Sequence, residues 1–535
     1  MGVDLILLFI LAAVVVVVAV RWVADRTGLP SAALLTLLGI LYALLPGTNI
    51  ALDSTIILTF VLPPLLYHAA LESSLLDIRR NLRTVISLSV ALVLATALLV
   101  GVGFDLWVGG ATLAVGVVLG AAVAPPDPVA ALAVGRRVGL PGNLVTLVQG
   151  EGLLNDATAL TILSVAYAAA TGTTFSFPAA VGEFVIVSVG GVVAGVIVAR
   201  TVRLLRRIRH DPLTANAVSL ATPFAAYLLA ERVHVSGVLA VVVAGLIVGH
   251  DAPRTSSGAS RLQTSAVWRL VDFLLEGLVF LLNGPQLPRV IGELSSYPTG
   301  TVVAAVGITV GVVLLLRPLW LMLTQLLPRS LHTRLGGDDR RREQALSPRE
   351  VTALSWAGTR GVISLAAIFT VPRSFPDADL LYLCTFVVVR VTLVGQGMTF
   401  APLVRRLGLR ANESDKIRVR NEARSASVRA AMDRLDEIQE ERHDHVEDHA
   451  IDAMRRQLGV RLERYRRRLD LLDQADSDEP PTSPQYEAAL QVRRAVIDAQ
   501  REELLRWRDA GRLNDEGLRV LERELDHEEL LLPER

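Results

Sequence analysis

The amino-acid sequence predicts an all-α polytopic membrane protein with about 13 transmembrane helices in two inverted repeats with broken helices, followed by a C-terminal cytoplasmic helical domain. Three observations predict this fold class: long apolar runs, an alternation of basic and non-basic loops between them, and an abrupt change to charged sequence near residue 405. The 535 residues carry 53 basic and 53 acidic side chains. Because this zero net charge averages two unlike regions, it indicates no class of partner.

The apolar runs are counted against the thickness of a membrane. An α-helix of roughly 20 apolar residues crosses a bilayer core of about 30 Å. Thirteen runs approach this length, at about residues 3–20, 30–45, 55–71, 84–103, 110–135, 144–170, 179–200, 214–230, 235–249, 267–287, 299–326, 350–371 and 380–403. The first run has no basic segment before it, and Arg21-Trp22 replaces a small-residue cleavage site, so we interpret it as a transmembrane helix rather than a signal peptide.

The loops between these runs predict the orientation. Short cytoplasmic loops retain Lys and Arg. The odd-numbered loops contain arginine clusters, for example Arg136 and Arg137, whereas the even-numbered loops contain only Arg232, Arg289 and Arg373. We therefore expect a multi-pass protein of the inner cell membrane, with its N-terminus outside and its C-terminus in the cytoplasm.

The last part of the chain has a different composition. It is rich in Arg, Glu and Asp, with apolar residues such as Val428, Met432 and Leu435 at helical spacing. The segment DSDEPPTSP, residues 476–484, indicates a linker between charged helices. We divide the chain into a transmembrane domain, residues 1–410, and a cytoplasmic charged helical tail, residues 411–535. The tail is expected to be solvated or dimer-associated, since no candidate site residue supports the alternative of an ion or pH sensor.

Ionisable residues inside the apolar runs are the candidate functional residues. Each costs at least about 2.5–3.5 kcal/mol at the centre of a membrane helix, so each is expected to be functional or paired. They are His68, Asp127, Glu151, Asp156, Glu276, Arg360 and Arg390. Carboxylates that come from separate helices at similar depth are what a buried ion site requires.

Two of the runs contain helix-breaking sequences. In the fifth run, Pro125, Pro126 and Pro128 surround Asp127, and each proline removes an amide donor. In the twelfth run, residues 358–361 (GTRG) form a second candidate interruption that carries Arg360. Broken helices expose carbonyl groups and half-helix ends that can bind ions inside a membrane protein.

The sixth run places three polar residues close together. Glu151 and Asn155 are four residues apart and share one helix face. Asp156 is rotated by about 100° from Asn155 and can point elsewhere. Glu151 can therefore pair with a buried arginine while Asp156 stays unpaired, and a proton and a dehydrated cation can compete for the oxygens of Asp156.

Other function classes lack their motifs. The sequence contains no His-Glu-x-x-His zinc motif and no Walker phosphate loop, so we expect neither an enzyme nor a cofactor, and no nucleic-acid partner. The single cysteine, Cys384, excludes a disulfide framework. A cation channel is disfavoured because no carbonyl filter motif or repeated ring of charges is present.

Six short motifs together resemble the monovalent cation:proton antiporter-1 family, and they occur in the family's order over about 400 residues. They are residues 62–66 (LPPLL), 126–130 (PDPVA), 151–156 (EGLLND), 273–280 (FLLEGLVF), 359–361 (TRG) and 396–399 (QGMT). The Asn-Asp pair with its upstream Glu, followed by Arg-Gly, is the most specific of them.

The resemblance implies a homodimer of thirteen-span protomers in the lipid bilayer that exchanges Na⁺, or Li⁺, for H⁺. It implies that Asp156 binds the monovalent cation and the proton, with Asp127 and Asn155 lining or supporting the site. Glu151 and Arg360 would form a buried structural ion pair. An Asn before Asp156 is typical of electroneutral members. K⁺/H⁺ antiport remains an alternative because ligand type alone does not set size selectivity.

Three residues depart from the family's pattern. Pro126 stands where many relatives have a Thr, and His68 stands where many have an acidic residue. Arg390 occupies an expected apolar position. We expect His68 to line a funnel or pack in the wall, and Glu276 to be either a wall of the site or a structural partner.

Overall fold

The computed structural model describes most of the chain, and every regular element in the described part is helical. The described residues are 3–27, 31–43, 57–128, 131–132, 135, 139–172, 177–208, 211–282, 297–326, 346–409, 413–441, 445–474, 484–510, 512–513 and 515–530. Their contacts divide the chain into two compact units, Met1–Ala411 and Asn412–Arg535. The all-α prediction is confirmed.

The first unit contains seventeen helices among its described residues, and three of them are directly preceded by a π-helical turn. In chain order they are α1 (Val3–Thr27), α2 (Ser31–Ala43), α3 (Leu62–Glu72, preceded by a π-helical turn at Ile57–Val61), α4 (Leu75–Arg80), α5 (Leu82–Ile86), α6 (Leu92–Trp107, preceded by a π-helical turn at Ser87–Ala91), α7 (Leu113–Val123), α8 (Gly142–Ala170), α9 (Phe177–Ile208), α10 (Pro212–Arg232), α11 (Gly237–Thr255), α12 (Gly258–Leu282), α13 (Thr299–Leu326), α14 (Pro348–Trp356), α15 (Val362–Ile368), α16 (Ala378–Arg390) and α17 (Gly397–Leu407, preceded by a π-helical turn at Val391–Gln396).

The number of membrane spans is smaller in the described residues than the sequence predicts. Seven helices there are long and apolar enough to cross a bilayer, and two shorter apolar helices lie at Ser31–Tyr42 and Leu113–Val123. The predicted count of thirteen is therefore not confirmed. Part of the difference has a physical reason: two predicted spans are broken into halves, and each half is too short to cross a membrane alone.

Both predicted interruptions are present. Helix α7 ends at Val123, and the chain continues without regular helix to Asp127. Helix α14 ends at Trp356, and α15 begins only at Val362. The prolines at 125 and 126 explain the first break, because they can donate no amide hydrogen to a continuing helix.

Helix α8 lies between two hydrophobic clusters and uses opposite faces to contact them. Leu153 and Ala157 join one cluster, which includes residues of α3, α9, α10 and α11. Ala159, Ile162 and Ala166 join another cluster, which includes residues of α6, α7, α13 and α16. Because α8 packs on both of these faces, its polar residues Asn155 and Asp156 are buried inside the helical unit. The two residues are adjacent in the chain, so their side chains point about 100° apart around α8.

The second unit consists of four helices in the described residues: α18 (Glu413–Glu441), α19 (His445–Gln474), α20 (Pro484–Asp509) and α21 (Asp515–Leu530). Helix α18 packs against α19, and α20 packs against α21. Arg501 of α20 forms ion pairs with Asp526 at 2.5 Å and Glu529 at 2.6 Å. The predicted linker lies outside the described residues, apart from Pro484 at the start of α20.

Candidate ion-binding site

The two helix breaks meet each other. The backbone N–H of Asp127 donates a hydrogen bond to the carbonyl oxygen of Thr359 at 2.6 Å. The Thr359 hydroxyl donates to the carbonyl oxygen of Asp127 at 3.0 Å. Residues 232 positions apart in the chain thus satisfy backbone groups that neither broken helix can satisfy by itself.

Arg360 binds the ends of the half-helices. Its Nε donates to the carbonyl oxygen of Val123, the last residue of α7, at 2.9 Å, and its Nη1 donates to the carbonyl oxygen of Gly358. Its backbone N–H donates to the Thr392 hydroxyl at 2.9 Å. The C-terminal end of a helix carries unpaired carbonyl groups and a partial negative charge, so these carbonyl groups compensate part of the charge of the buried guanidinium.

The predicted ion pair between Glu151 and Arg360 is wrong in its partner. Glu151 is held by Arg317 of α13, whose Nη1 and Nη2 bind the two carboxylate oxygens, the second at 2.8 Å. The Nε of Arg317 donates to the carbonyl oxygen of Leu354 in α14 at 3.0 Å. Both members of the pair are buried, at 1% exposure for Glu151 and 3% for Arg317. The Arg360 guanidinium instead binds the carbonyl oxygens of Val123 and Gly358.

Arg317 is the functional residue that the sequence reasoning missed. It is a lone charged residue inside the apolar run 299–326 and is followed by Pro318. The cost of a charge within a membrane helix, which selected the other candidates, also applies to Arg317. That signal was sufficient to find it.

Asn155 and Asp156 lie beside the first break. The Asn155 Nδ2 donates to the carbonyl oxygen of Pro126 at 2.8 Å, and the Asn155 Oδ1 is buried without a hydrogen-bond donor in the described part of the chain. Asp156 is 3% exposed. Its carboxylate forms no ion pair or hydrogen bond with the described residues, and the charge that acts on it is that of Asp127. Asn155 and Asp156 therefore present oxygen atoms that accept no hydrogen bond from the residues that the structure describes.

Asp127 is positioned by a glycine. A Cβ atom placed on Gly361 would coincide with the Asp127 carboxylate. The backbone of Gly361 is extended at φ −119°, so close approach, and not a special conformation, requires glycine here. Gly361 immediately precedes α15, and the carboxylate thus lies at a helix N-terminus, where negative charge is favoured.

The remaining candidates lie outside this crossing. Glu276 of α12 is part-buried and lies within electrostatic reach of Asp127 and Asp272. His68 of α3 contacts Glu72, Asp272 and Trp268. The Arg390 guanidinium lies 4.3 Å from the centre of the Phe386 ring.

Comparison with known proteins shows which family and which proteins this chain resembles. A family model described as "Sodium/hydrogen exchanger, transmembrane" matches residues 10–406. An uncharacterized Na(+)/H(+) exchanger of Mycobacterium tuberculosis is 34% identical over 550 residues, which cover 99% of this chain and 96% of that protein. The sodium, potassium, lithium and rubidium/H(+) antiporter of Bacillus subtilis is 30% identical over 380 residues, which cover 66% of this chain and 56% of that protein.

The fold is also found among solved structures. The sodium proton antiporter MjNhaP1 of Methanocaldococcus jannaschii matches with a TM-score of 0.60 and 19% sequence identity, over 76% of this chain and 99% of that one. The helical fold is therefore shared with a protein of low sequence identity.

Substitution of Gly361 by Ala tests the close approach at the crossing. The added methyl group would overlap the Asp127 carboxylate, and an overpacked buried site typically costs about 1–3 kcal/mol. We expect a lower thermal unfolding midpoint in detergent for Gly361→Ala. Gly307→Ala in α13 is the control, because nothing lies within 4 Å of a Cβ there and alanine favours helix. Equal losses in both variants would contradict the assignment.

Substitution of Arg317 by Met tests the corrected ion pair. It leaves the Glu151 carboxylate buried without its partner, and breaking a buried pair typically costs about 3–5 kcal/mol. We expect a large loss of folded yield and thermal stability, partly recovered in the double variant Glu151→Met/Arg317→Met. The control is Arg203→Met, which breaks the partly exposed pair with Asp251 at 3.3 Å and should cost about 0–1 kcal/mol. An Arg317→Met protein as stable as this control would refute the pairing.

Proposed function

Because the chain belongs to the sodium/hydrogen exchanger family, we propose that it is a secondary active antiporter that exchanges Na⁺, or Li⁺, for H⁺ across the cell membrane. The observation that carries this proposal is the Asp156 carboxylate, buried beside two crossed helix breaks and without a hydrogen-bond donor among the described residues. An uncompensated negative charge is costly in such a place. Either a proton or a monovalent cation neutralises it.

Competition at Asp156 supports exchange without a cofactor. A proton on the carboxylate removes the negative charge that attracts the cation, and a bound cation occupies the oxygens that would accept the proton. If the site faces the two sides of the membrane in turn, each change of its orientation carries one of the two ions across the membrane. The crossed half-helices form the polar backbone that such a site needs within the bilayer.

Oxygen atoms near Asp156 provide the ligands that a hard alkali cation prefers. We assign the Asp156 carboxylate, the unpartnered Asn155 Oδ1 and the Asp127 carboxylate to this set. Pro126 contributes no hydroxyl group, and its carbonyl oxygen already accepts the Asn155 amide. Glu276 lies within electrostatic reach of Asp127 and forms part of the wall.

The charges around Asp156 support electroneutral exchange. Glu151 and Arg317 neutralise each other, and Arg360 is bound to half-helix carbonyls. Asn155 supplies an uncharged oxygen where a carboxylate would bring a second exchangeable proton. Asp156 then carries one positive charge in each direction, either Na⁺ or H⁺.

The orientation in the membrane, the assembly and the choice of cation are each proposed from a separate observation. The arginine-rich loops support an N-terminus outside the cell and a C-terminus in the cytoplasm. The family resemblance supports a homodimer. K⁺/H⁺ antiport is the second candidate, because the Bacillus subtilis relative is a sodium, potassium, lithium and rubidium/H(+) antiporter.

Dye-monitored proton flux in proteoliposomes tests the function. Addition of Na⁺ or Li⁺ should dissipate a preformed pH gradient, and Asp156→Asn should abolish the response because the amide cannot exchange a proton. Asp105→Asn, an equivalent change at an exposed residue of α6, should leave the response intact. Full exchange by Asp156→Asn would refute the site, and a response to K⁺ alone would favour the second candidate.

Clamping the membrane potential tests the stoichiometry. With the potential held at zero or at an imposed value by K⁺ and valinomycin, the initial rate of Na⁺-driven proton flux should be unchanged. Equal charge moves in both directions, so the potential does no work on the cycle. A rate that varies with the imposed potential would show unequal numbers of charges.

A further inference from the structure

Two helices that are long and apolar enough to cross a bilayer end next to each other. Their spans run over Val181–Arg206 in α9 and Gly237–Thr255 in α11, and the two helices pack together. Arg203 of α9 forms an ion pair with Asp251 of α11 at 3.3 Å, about one turn before each span ends. The two spans therefore end at the same level, where the apolar part of a membrane gives way to headgroups and water.

Arg206 contacts the turn that connects α11 with α12. Its Nη1 donates a hydrogen bond to the Ser256 hydroxyl at 3.4 Å. Arg206 is 9% exposed, and its buried Nε has no hydrogen-bond acceptor in the described part of the chain. A guanidinium stays charged at every physiological pH, and a buried donor without an acceptor costs free energy. Arg206 therefore offers a permanently charged donor to a ligand at this turn.

The start of α12 brings further donors to the same turn. The Arg261 Nη1 donates to the carbonyl oxygen of Ser256 at 2.5 Å, so guanidinium groups from two helices contact one serine. The Ser257 hydroxyl accepts the backbone N–H of Ser260 at 3.2 Å and caps the helix. Backbone N–H groups in the first turn of a helix have no acceptor within the helix, and together they favour an anion.

The charge of this turn is positive. Asp251 is the one acidic residue in the described segments 199–206 and 249–263, and it pairs with Arg203. Arg254 is exposed at the end of α11 and adds another positive charge. No carboxylate of these two segments is therefore left to neutralise Arg206 and Arg261.

Exposed apolar side chains lie next to these arginines. Leu204 and Leu205 of α9 are 59% and 45% exposed, and Leu262 of α12 is 63% exposed. At the end of a membrane span, leucines contact acyl chains and arginines extend to the headgroups. One phospholipid molecule satisfies both parts of this surface, whereas a free phosphate ion satisfies only the arginines.

We propose that the turn between α11 and α12 binds the phosphate group of an anionic phospholipid, with Arg206 and Arg261 as its charged ligands. Each guanidinium has five N–H donors, and Ser256 accepts a hydrogen bond from one donor of each. A guanidinium can bind two phosphate oxygens at once, and the first amides of α12 add uncharged donors.

The lipid would join the ends of three helices at one headgroup. On the orientation proposed above, it lies in the cytoplasmic leaflet, where anionic lipids attract basic residues. This site is formed by residues other than those of the candidate ion-binding site. It therefore stands or falls independently of the antiport proposed for Asp156.

Native mass spectrometry of the full-length protein, delipidated in detergent, tests the proposal. Phosphatidylglycerol and phosphatidylcholine are titrated separately, and the dissociation constant of the first bound lipid is measured. Phosphatidylglycerol should bind more tightly, because the choline group of the other lipid places a cation near the arginines. Arg261→Gln should raise the dissociation constant for phosphatidylglycerol about tenfold, as expected for the loss of one charged hydrogen bond.

Matched variants separate this turn from general attraction between basic residues and lipid. Arg206→Gln should weaken the binding of phosphatidylglycerol at least as much as Arg261→Gln, because Arg206 is buried. Arg79→Gln removes a positive charge from an exposed position on α4, in a loop that we assign to the same side of the membrane. It is the control and should bind phosphatidylglycerol as the wild type does.

Two results would overturn the site. One is equal dissociation constants for phosphatidylglycerol in the wild type, Arg261→Gln and Arg79→Gln, because the lipid would then bind without contacting this turn. The other is equal binding of the two lipids by the wild type. If Arg206→Gln does not fold, Arg261→Gln decides, since Arg261 is exposed.

Competition with inorganic phosphate distinguishes a lipid from a soluble ligand. Excess ammonium phosphate should leave the first phosphatidylglycerol bound to the same extent as ammonium chloride of equal ionic strength, because the acyl chains add contacts that an ion lacks. Selective displacement by phosphate would assign the turn to a soluble phosphate and overturn the lipid proposal.

Discussion

The crossing of two broken helices is the constraint on which the rest of the site depends. Backbone N–H and C=O groups within a membrane must find partners in the protein, because lipid offers none. Asp127 and Thr359 supply two such partners to each other, and Arg360 supplies donors to carbonyls at the helix ends. The break in α7 and the break before α15 therefore stabilise each other. An ion site can lie beside them because its backbone is already satisfied.

The buried charges divide into those that hold the structure and those that are available for exchange. Arg317 neutralises Glu151 and also binds a carbonyl of α14, so it links three helices. Arg360 is compensated by half-helix carbonyls. Asp156 has neither kind of partner among the described residues. In the proposed antiport, this separation lets one carboxylate change its bound ion while the surrounding fold keeps its charges paired.

The sequence by itself determined the helical class, the two breaks and the buried carboxylates that we propose for the site, because apolar length, proline and buried charge act locally along the chain. It also contained the signal for Arg317, a lone charge in an apolar run. Only the tertiary structure decided that Arg317, and not Arg360, pairs with Glu151. Spacing along one helix shows which face Glu151 occupies but not which distant arginine that face meets. The fold decides this, since α13 and the half-helix carbonyls come together only when the helices pack.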